Sequence, residues 1–369
     1  MTQTEQLLLS LIRIGIWKDH VIKSIPKNTD WNALYNLAQN QGVAAIVLDG
    51  INFCYEKGIE LNLDFQTKMD WIGLVSQMEV IYAQHEKNMR FLSAWYKQHG
   101  ISMMVLKGYG LSLNYPVPNH RPCGDIDIYL FGDQEKADKL LQEELGIKVD
   151  KSHHHHTVFC FQGETIENHY DFLNVHVRKS NVSIEKKLKE IANTDINGFR
   201  FQDSSFKSNM VADVILPSVE FNAIYLLRHC AAHFASTEMT IRQVLDWAFF
   251  MEKHHQEIDF DKYLPYIKQE GMYRFYNLMG LFSMTVLGFD AYIFNSVYSD
   301  KLDERFAQEI LSPEFKDSEN GNLLWSLWVK PRRWWHNRWK NRLCYPDGAW
   351  SEFAYGLWAK LLKPSHFIQ

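Results

Sequence analysis

Residues 121–130 read RPCGDIDIYL, and the Asp125-Ile126-Asp127 triplet at the centre sharply limits what this stretch can become. Two carboxylates flanking one apolar residue, inside a run of Ile, Tyr and Leu, suit a β-strand better than a helix. Strand side chains alternate between faces, so Asp125 and Asp127 point one way while Ile126 and Ile128 point into a core. Two like charges fixed side by side repel each other unless a cation lies between them. Mg2+, with Mn2+ as the second choice, takes hard oxygen ligands and is held by one or two carboxylates together with substrate phosphates. The triplet therefore directs attention to phosphoryl or nucleotidyl transfer. The plainer alternative is an acidic solvent face on an edge strand, and the neighbouring segments weigh against it.

Upstream, residues 101–116 read ISMMVLKGYGLSLNYP. Residues 101–106 form a short apolar, strand-like run; Lys107-Gly108 breaks it, and a helix is expected to follow and to end before Pro116. A strand that turns through glycine into a helix presents backbone N–H groups suited to phosphate. Lys107 adds a mobile positive charge there, and Arg121 a planar fork with bidentate reach. Downstream, residues 163–176 read GETIENHYDFLNVH. Ile166 to His169 reads as a strand after a glycine turn, with Glu167 and His169 on one face. Glu167 is the third carboxylate that an Asp-x-Asp pair needs for a two-metal site, or the base for an acceptor hydroxyl. His169 is a candidate for phosphate or acceptor contact, or a hydrogen-bonded structural histidine.

Taken together, Leu106-Lys107-Gly108, Arg121, Gly124-Asp125-Ile126-Asp127 and Ile166-Glu167-Asn168-His169 resemble the uncharacterised nucleotidyltransferase family of the DNA polymerase β-like superfamily. The resemblance implies a nucleotidyltransferase fold and an NTP substrate. It also implies Asp125, Asp127 and Glu167 as metal carboxylates, with nucleotide contacts from Lys107, Gly108, Arg121, Gly124 and His169. The superfamily's Gly-Ser is Lys-Gly here, so the serine hydroxyl is absent and Lys107 is the group left to meet the phosphates. The motifs span roughly residues 100–180 of 369. The flanks match in pattern through His229, His233, Arg242 and Asp246, which become possible accessory residues of the cleft.

The expected fold is α+β: a helical N-terminal region over 1–98, a mixed-sheet nucleotidyltransferase core over 99–210, and a helical C-terminal region over 211–369. Leu7, Leu8, Leu11 and Ile12, then Leu34, Leu37 and Ala38, then Met78 through Trp95 recur at helical spacing. Residues 133–146 make an amphipathic helix ended by Gly146. Residues 218–235 and 240–255 are the clearest later helices. The net charge of −5 gives no basic field for long nucleic-acid contacts. The five cysteines, at 54, 123, 160, 230 and 344, form no Cys-x-x-Cys pair. With no apolar run of membrane-spanning length, these features point to a cytoplasmic protein with reduced thiols.

Three further features need weighing. KSHHHHTVF, 151–159, places His154 and His156 on one face of an expected strand and His153 and His155 on the other. A structural or solvent-facing strand is preferred there over a ligand cluster. His229 and His233 share a helical face, with Asp246 following; the three could bind zinc, although Arg242 and Asp246 also make an ordinary i, i+4 ion pair. Residues 325–342 interleave Lys and Arg with Trp, which suits peripheral contact or a Trp-rich helix packed on the core, and Pro331 favours the latter. The reading is a Mg2+-dependent transfer of NMP from an NTP to an unread acceptor: a small molecule, a sugar phosphate, a tRNA end or a protein side chain. Its rivals are a non-catalytic, antitoxin-like nucleotide-binding module and a metal-dependent phosphohydrolase built on His229, His233 and Asp246.

Overall fold

The computed structural model describes residues 1–18, 25–26, 28–153, 155–200, 210–211, 214–236, 238–295, 301–314 and 332–347. Its N-terminal part is helical: α1 (Gln3–Trp17), α2 (Trp31–Asn40), α3 (Ala44–Glu56) and the 34-residue α4 (Phe65–Gln98). Asp30 and Asp64 cap α2 and α4, accepting from the backbone N–H groups of Ala33 and Thr67. α3 is nearly all apolar and buried, so it has no amphipathic period to mark it in the sequence.

The chain then alternates. β1 (Met104–Leu106) leads through Lys107 into the short α5 (Gly108–Ser112). β2 (Ile126–Tyr129), α6 (Gln134–Leu145), β3 (Val149–Asp150), β4 (His156–Phe161), β5 (Glu164–His169), α7 (Ser180–Arg200), β6 (Met210–Val211) and β7 (Val214–Ile215) follow. The seven strands form one mixed sheet in the order β3-β4-β5-β2-β1-β7-β6. β2 lies parallel to β5 and antiparallel to β1. Gly146, at φ 64°, ends α6 as its composition predicts.

Each face of the sheet has its own core. Val105, Ile126, Ile128, Phe159 and Ile166 pack with Met89, Leu92 and Tyr96 of α4 and with Ala137 and Leu141 of α6. The opposite face, with Met104, Leu106 and Tyr129, joins the large helical core of α8 (Val219–Ser236), α9 (Ile241–His254), α10 (Phe260–Gln269), α11 (Tyr273–Thr285) and α12 (Glu304–Leu311). The strand side chains that alternate with the core residues therefore look toward α8 and α9.

One expectation needs correction, and a second falls partly outside the described residues. Of the histidine run, His154 lies outside the described residues, and His153 and His155 precede β4, which begins at His156. Of the Trp/Arg stretch, residues up to 331 lie outside the described residues. Beyond them, Trp339 packs edge-on against Phe234, and Lys340 pairs with Glu309 at 2.7 Å in the interior. Trp335 is exposed and carries Arg338 over its ring.

His120 ties the helical region to the sheet. Its Nδ1 lies 2.7 Å from Asp49 of α3 and its Nε2 lies 3.3 Å from Glu79 of α4. Burial alone would lower its pKa, but the two carboxylates outweigh burial and raise it. The imidazolium therefore adds stability in full below the ordinary value of 6.5, and that stability is lost as pH rises through the elevated folded value. Thermal melting of wild type and His120→Gln should show the widest gap on the acid side and a narrowing gap as pH rises. A gap that widened with pH would contradict this assignment.

Candidate active site

The site starts from strand register. In the parallel β2–β5 pair Asp127 lies directly opposite Glu167, which brings their carboxylates to one face, toward the helices. Asp125 stands just before β2 on the same face and is exposed. In the β4–β5 hairpin His156 lies opposite His169, so both rings join that face. His169 Nε2 lies 2.8 Å from Asp127 Oδ1 and 3.4 Å from Glu167 Oε2. Among the described residues, Asp127, Glu167 and His169 form one group with metal-ligand spacing, and His155, His156 and His169 form another. Asp125 borders the first group without closing it.

Lys107 sits beneath the carboxylates, its Nζ 3.0 Å from Asp127 Oδ1. Its backbone has φ 47° and ψ −131°, a conformation that favours glycine. Such strain costs about 1–3 kcal/mol and persists only where the surroundings enforce it; here the ion pair with Asp127 fixes the side chain. Burial would push the Asp127 carboxyl up, but Lys107 and then His169 hold it well below the usual carboxylate range. Burial likewise opposes charge on Lys107 and on His169, and their carboxylate partners prevail, so both are raised. Asp125 behaves oppositely: desolvation, then repulsion from Asp127 and Glu167, lifts it. Asp125, Asp127 and Glu167 offer hard oxygen donors, the chemistry that suits a Mg2+-type ion, and a cation beside Asp125 would relieve the repulsion that lifts it.

Opposite the carboxylates lies a cavity of about 240 Å3, lined by Lys107, Gly108, Gly124, Asp125 and Asp127 on one wall and by His229, His233 and Arg242 on the other. His229 and His233, one turn apart on α8, meet edge to face at 4.6 Å. Burial and then Lys107 keep His229 far below its ordinary pKa, hence neutral. Arg242, on α9, leans across Gly42, where an added Cβ would come within 3.1 Å of its Cβ and Cδ. Gly42 also has φ +66°, so the residue is held to glycine on both counts.

Arg121 departs from the expected role. It is 4 % exposed, and its fork is committed: Nε and Nη2 donate to Asp246 at 2.7 and 2.9 Å, and Nη1 donates to the Pro122 carbonyl. Tyr115 Oη also donates to Asp246, at 2.7 Å. Asp246 thus pairs with Arg121 and not with Arg242, as i, i+4 spacing had suggested. Arg242 makes no ion pair among the described residues and is the helical wall's available cation. The same pairing occupies Asp246, and the two metal-spaced groups include neither His229 nor His233; the zinc-type trio of His229, His233 and Asp246 does not assemble.

Sequence reasoning missed His85 and did not connect His155 and His156 with His169. His85, on α4, lies 2.7 Å from the Gly124 carbonyl through Nε2 and pairs with Glu164 through Nδ1. It thereby anchors the loop that delivers Asp125. No short motif marks it. The histidine pairing, however, was readable. β4 and β5 join through Gln162-Gly163, both at positive φ (49° and 86°), a two-residue hairpin turn. Counting outward from Phe161 opposite Glu164 places His156 opposite His169.

A mixed sheet carrying an Asp-x-Asp strand parallel to a strand with the third carboxylate, beside a strand–turn–helix with a phosphate-ready turn, defines a nucleotidyltransferase-type site. A family model described as uncharacterised nucleotidyltransferase matches residues 27–288, and the chain belongs to that family. No curated protein and no solved structure matches it.

Proposed function

We propose that the protein is a Mg2+-dependent nucleotidyltransferase that moves an NMP from an NTP to an acceptor hydroxyl or phosphate, releasing pyrophosphate. The observation that carries this reading is the β2–β5 register that sets Glu167 against Asp127, with Asp125 at the mouth of the cavity. Asp125, Asp127 and Glu167 would hold the metal. Bound Mg2+ would supply charge neutralisation at the phosphates and a lowered barrier to deprotonating the nucleophile.

The chain's own groups do the rest. Lys107 and the Gly108 turn face the cavity from the sheet, and Arg242 faces it from α9, so a triphosphate between them meets cations on both sides. Arg121 lines the cavity with its fork committed to Asp246, holding the β1–β2 connection to α9. Neutral His229 and the adjacent His233 provide hydrogen-bonding edges for a base, a sugar or an acceptor. Holding the reactants between these fixed groups is the main contribution open to a site of this type.

Calorimetric titration of each NTP with Mg2+ tests the reading. Magnesium-dependent binding should appear in wild type and vanish in the Asp125→Ala/Asp127→Ala double variant. No binding of any NTP, or binding indifferent to both substitutions, would remove the nucleotide from these carboxylates. Tight binding with no pyrophosphate release would favour a non-catalytic nucleotide-binding module; the intact carboxylate trio argues for turnover.

A further inference from the structure

The histidines beside the carboxylates form a chemically distinct set. Ligand nitrogens of His155, His156 and His169 all lie within 4.8 Å of one another. His156 Nδ1 is also 3.8 Å from Glu167 Oε2, and His169 Nε2 is 3.4 Å from the same oxygen. A tetrahedral zinc ion with ligands about 2.0–2.2 Å away needs donor atoms separated by about 3.3 Å, so small side-chain rotations would close the set.

Two observations indicate that something is meant to sit there. The Nδ1 atoms of His155 and His156 are buried with no hydrogen-bond partner, although His156 is only 7 % exposed. A buried polar atom left unpaired forfeits the hydrogen bond it made to water, so two such nitrogens side by side call for a partner. His169 is oriented in the manner of a metal ligand: its Nδ1 lies 3.3 Å from the Asp171 carbonyl, which turns Nε2 toward the carboxylates. A backbone carbonyl behind one ring nitrogen, with the other aimed at the ion, is the usual support for a ligating imidazole.

We propose that His155, His156 and His169, with Glu167 as the fourth donor, form a site for a first-row transition metal ion, Zn2+ being the probe of choice, next to the Asp125–Asp127 carboxylates. The imidazole-rich donor set selects against Mg2+ and toward ions that accept nitrogen. Glu167 would then lie at the boundary between the nitrogen-rich site and the oxygen-rich one. The inference does not depend on nucleotidyl transfer, since it concerns metal binding by the protein alone.

The test is a titration of chelator-stripped protein with Co2+, followed by the visible ligand-field bands of a tetrahedral cobalt site. Wild type should bind a single equivalent with strong bands, Asp125→Ala should keep them, and His155→Ala/His156→Ala should lose them. X-ray absorption of zinc-loaded wild type adds a readout independent of variant folding, with two or three imidazoles expected in the first coordination shell. Absence of a tetrahedral band in wild type, its persistence in the double variant, or an all-oxygen shell would overturn the proposal. A loss of NTP binding in Asp125→Ala/Asp127→Ala alongside an intact cobalt band in Asp125→Ala would separate the two sites.

Discussion

Asp246→Ala should destabilise the protein by about 3–5 kcal/mol, the range for breaking a buried ion pair from one side. Asp246 is 6 % exposed and Arg121 is 4 % exposed, so the guanidinium would be left a buried charge without its counter-ion. Burial would raise the Asp246 carboxyl, yet Arg121 keeps it below the ordinary value, which marks the pair as fully formed. The substitution also leaves the Tyr115 hydroxyl with only its longer contact, 3.4 Å to the Arg242 carbonyl. Replacing both partners with apolar residues, Arg121→Met/Asp246→Leu, should recover most of the loss and leave chiefly the Tyr115 shortfall of about 1–3 kcal/mol. Urea denaturation midpoints of the three proteins measure this. A single variant within about 1 kcal/mol of wild type would mean that the pair is not holding α9 to the sheet.

Asp125→Ala should have the opposite profile, leaving the fold unchanged while turnover collapses. Asp125 is exposed and sits outside β2, and neighbouring carboxylates repel it, so its loss removes repulsion from the protein alone. In the presence of Mg2+ and NTP the same loss removes a ligand. Transfer of label from α-phosphate-labelled NTP should fall by about 10²–10³-fold or more, the scale seen when one partner of a developing charge is deleted. An unchanged melting temperature with unchanged label transfer would take Asp125 out of the chemistry.

The parts of this molecule legible in its sequence are those whose information is local. The Ile126–Tyr129 strand is marked by alternation, and Ile126 and Ile128 are buried at 3 % and 0 % as that alternation requires. Glu167 was found because it alternates with core residues in the same way. The helices at 133–146, 218–235 and 240–255 are marked by period, the first also by its Gly146 stop. What stayed hidden depends on distant partners or lacks a period. Arg121 meets Asp246 across 125 positions, and nothing near either residue names the other. The nearer candidate, Arg242, had the correct spacing on α9 but is turned toward the cavity. α3 opens on the unbroken apolar run Ala44–Leu48, and β7 is two residues long, so neither leaves a clear pattern. The gathering of His156 and His169 follows from the turn: Gln162-Gly163 is a less familiar hairpin pair than Asn-Gly, yet it sets the register that brings the rings together.

The helix α4 has a consequence for how the carboxylates are kept in line. At 34 residues it is a rod about 50 Å long. Near its start Trp71 donates to the Ala44 carbonyl of α3, Glu79 then meets His120, and farther along Asn88 and His85 grip Glu164 at the head of β5. His85 also holds the Gly124 carbonyl, one residue before Asp125. The rod thus works as a shared datum, a single straight edge against which the loop carrying Asp125 and the strand carrying Glu167 are both aligned. The amino-terminal helices are therefore part of the instrument that spaces the charges, and a tilt of this one helix would move two of the three carboxylates together.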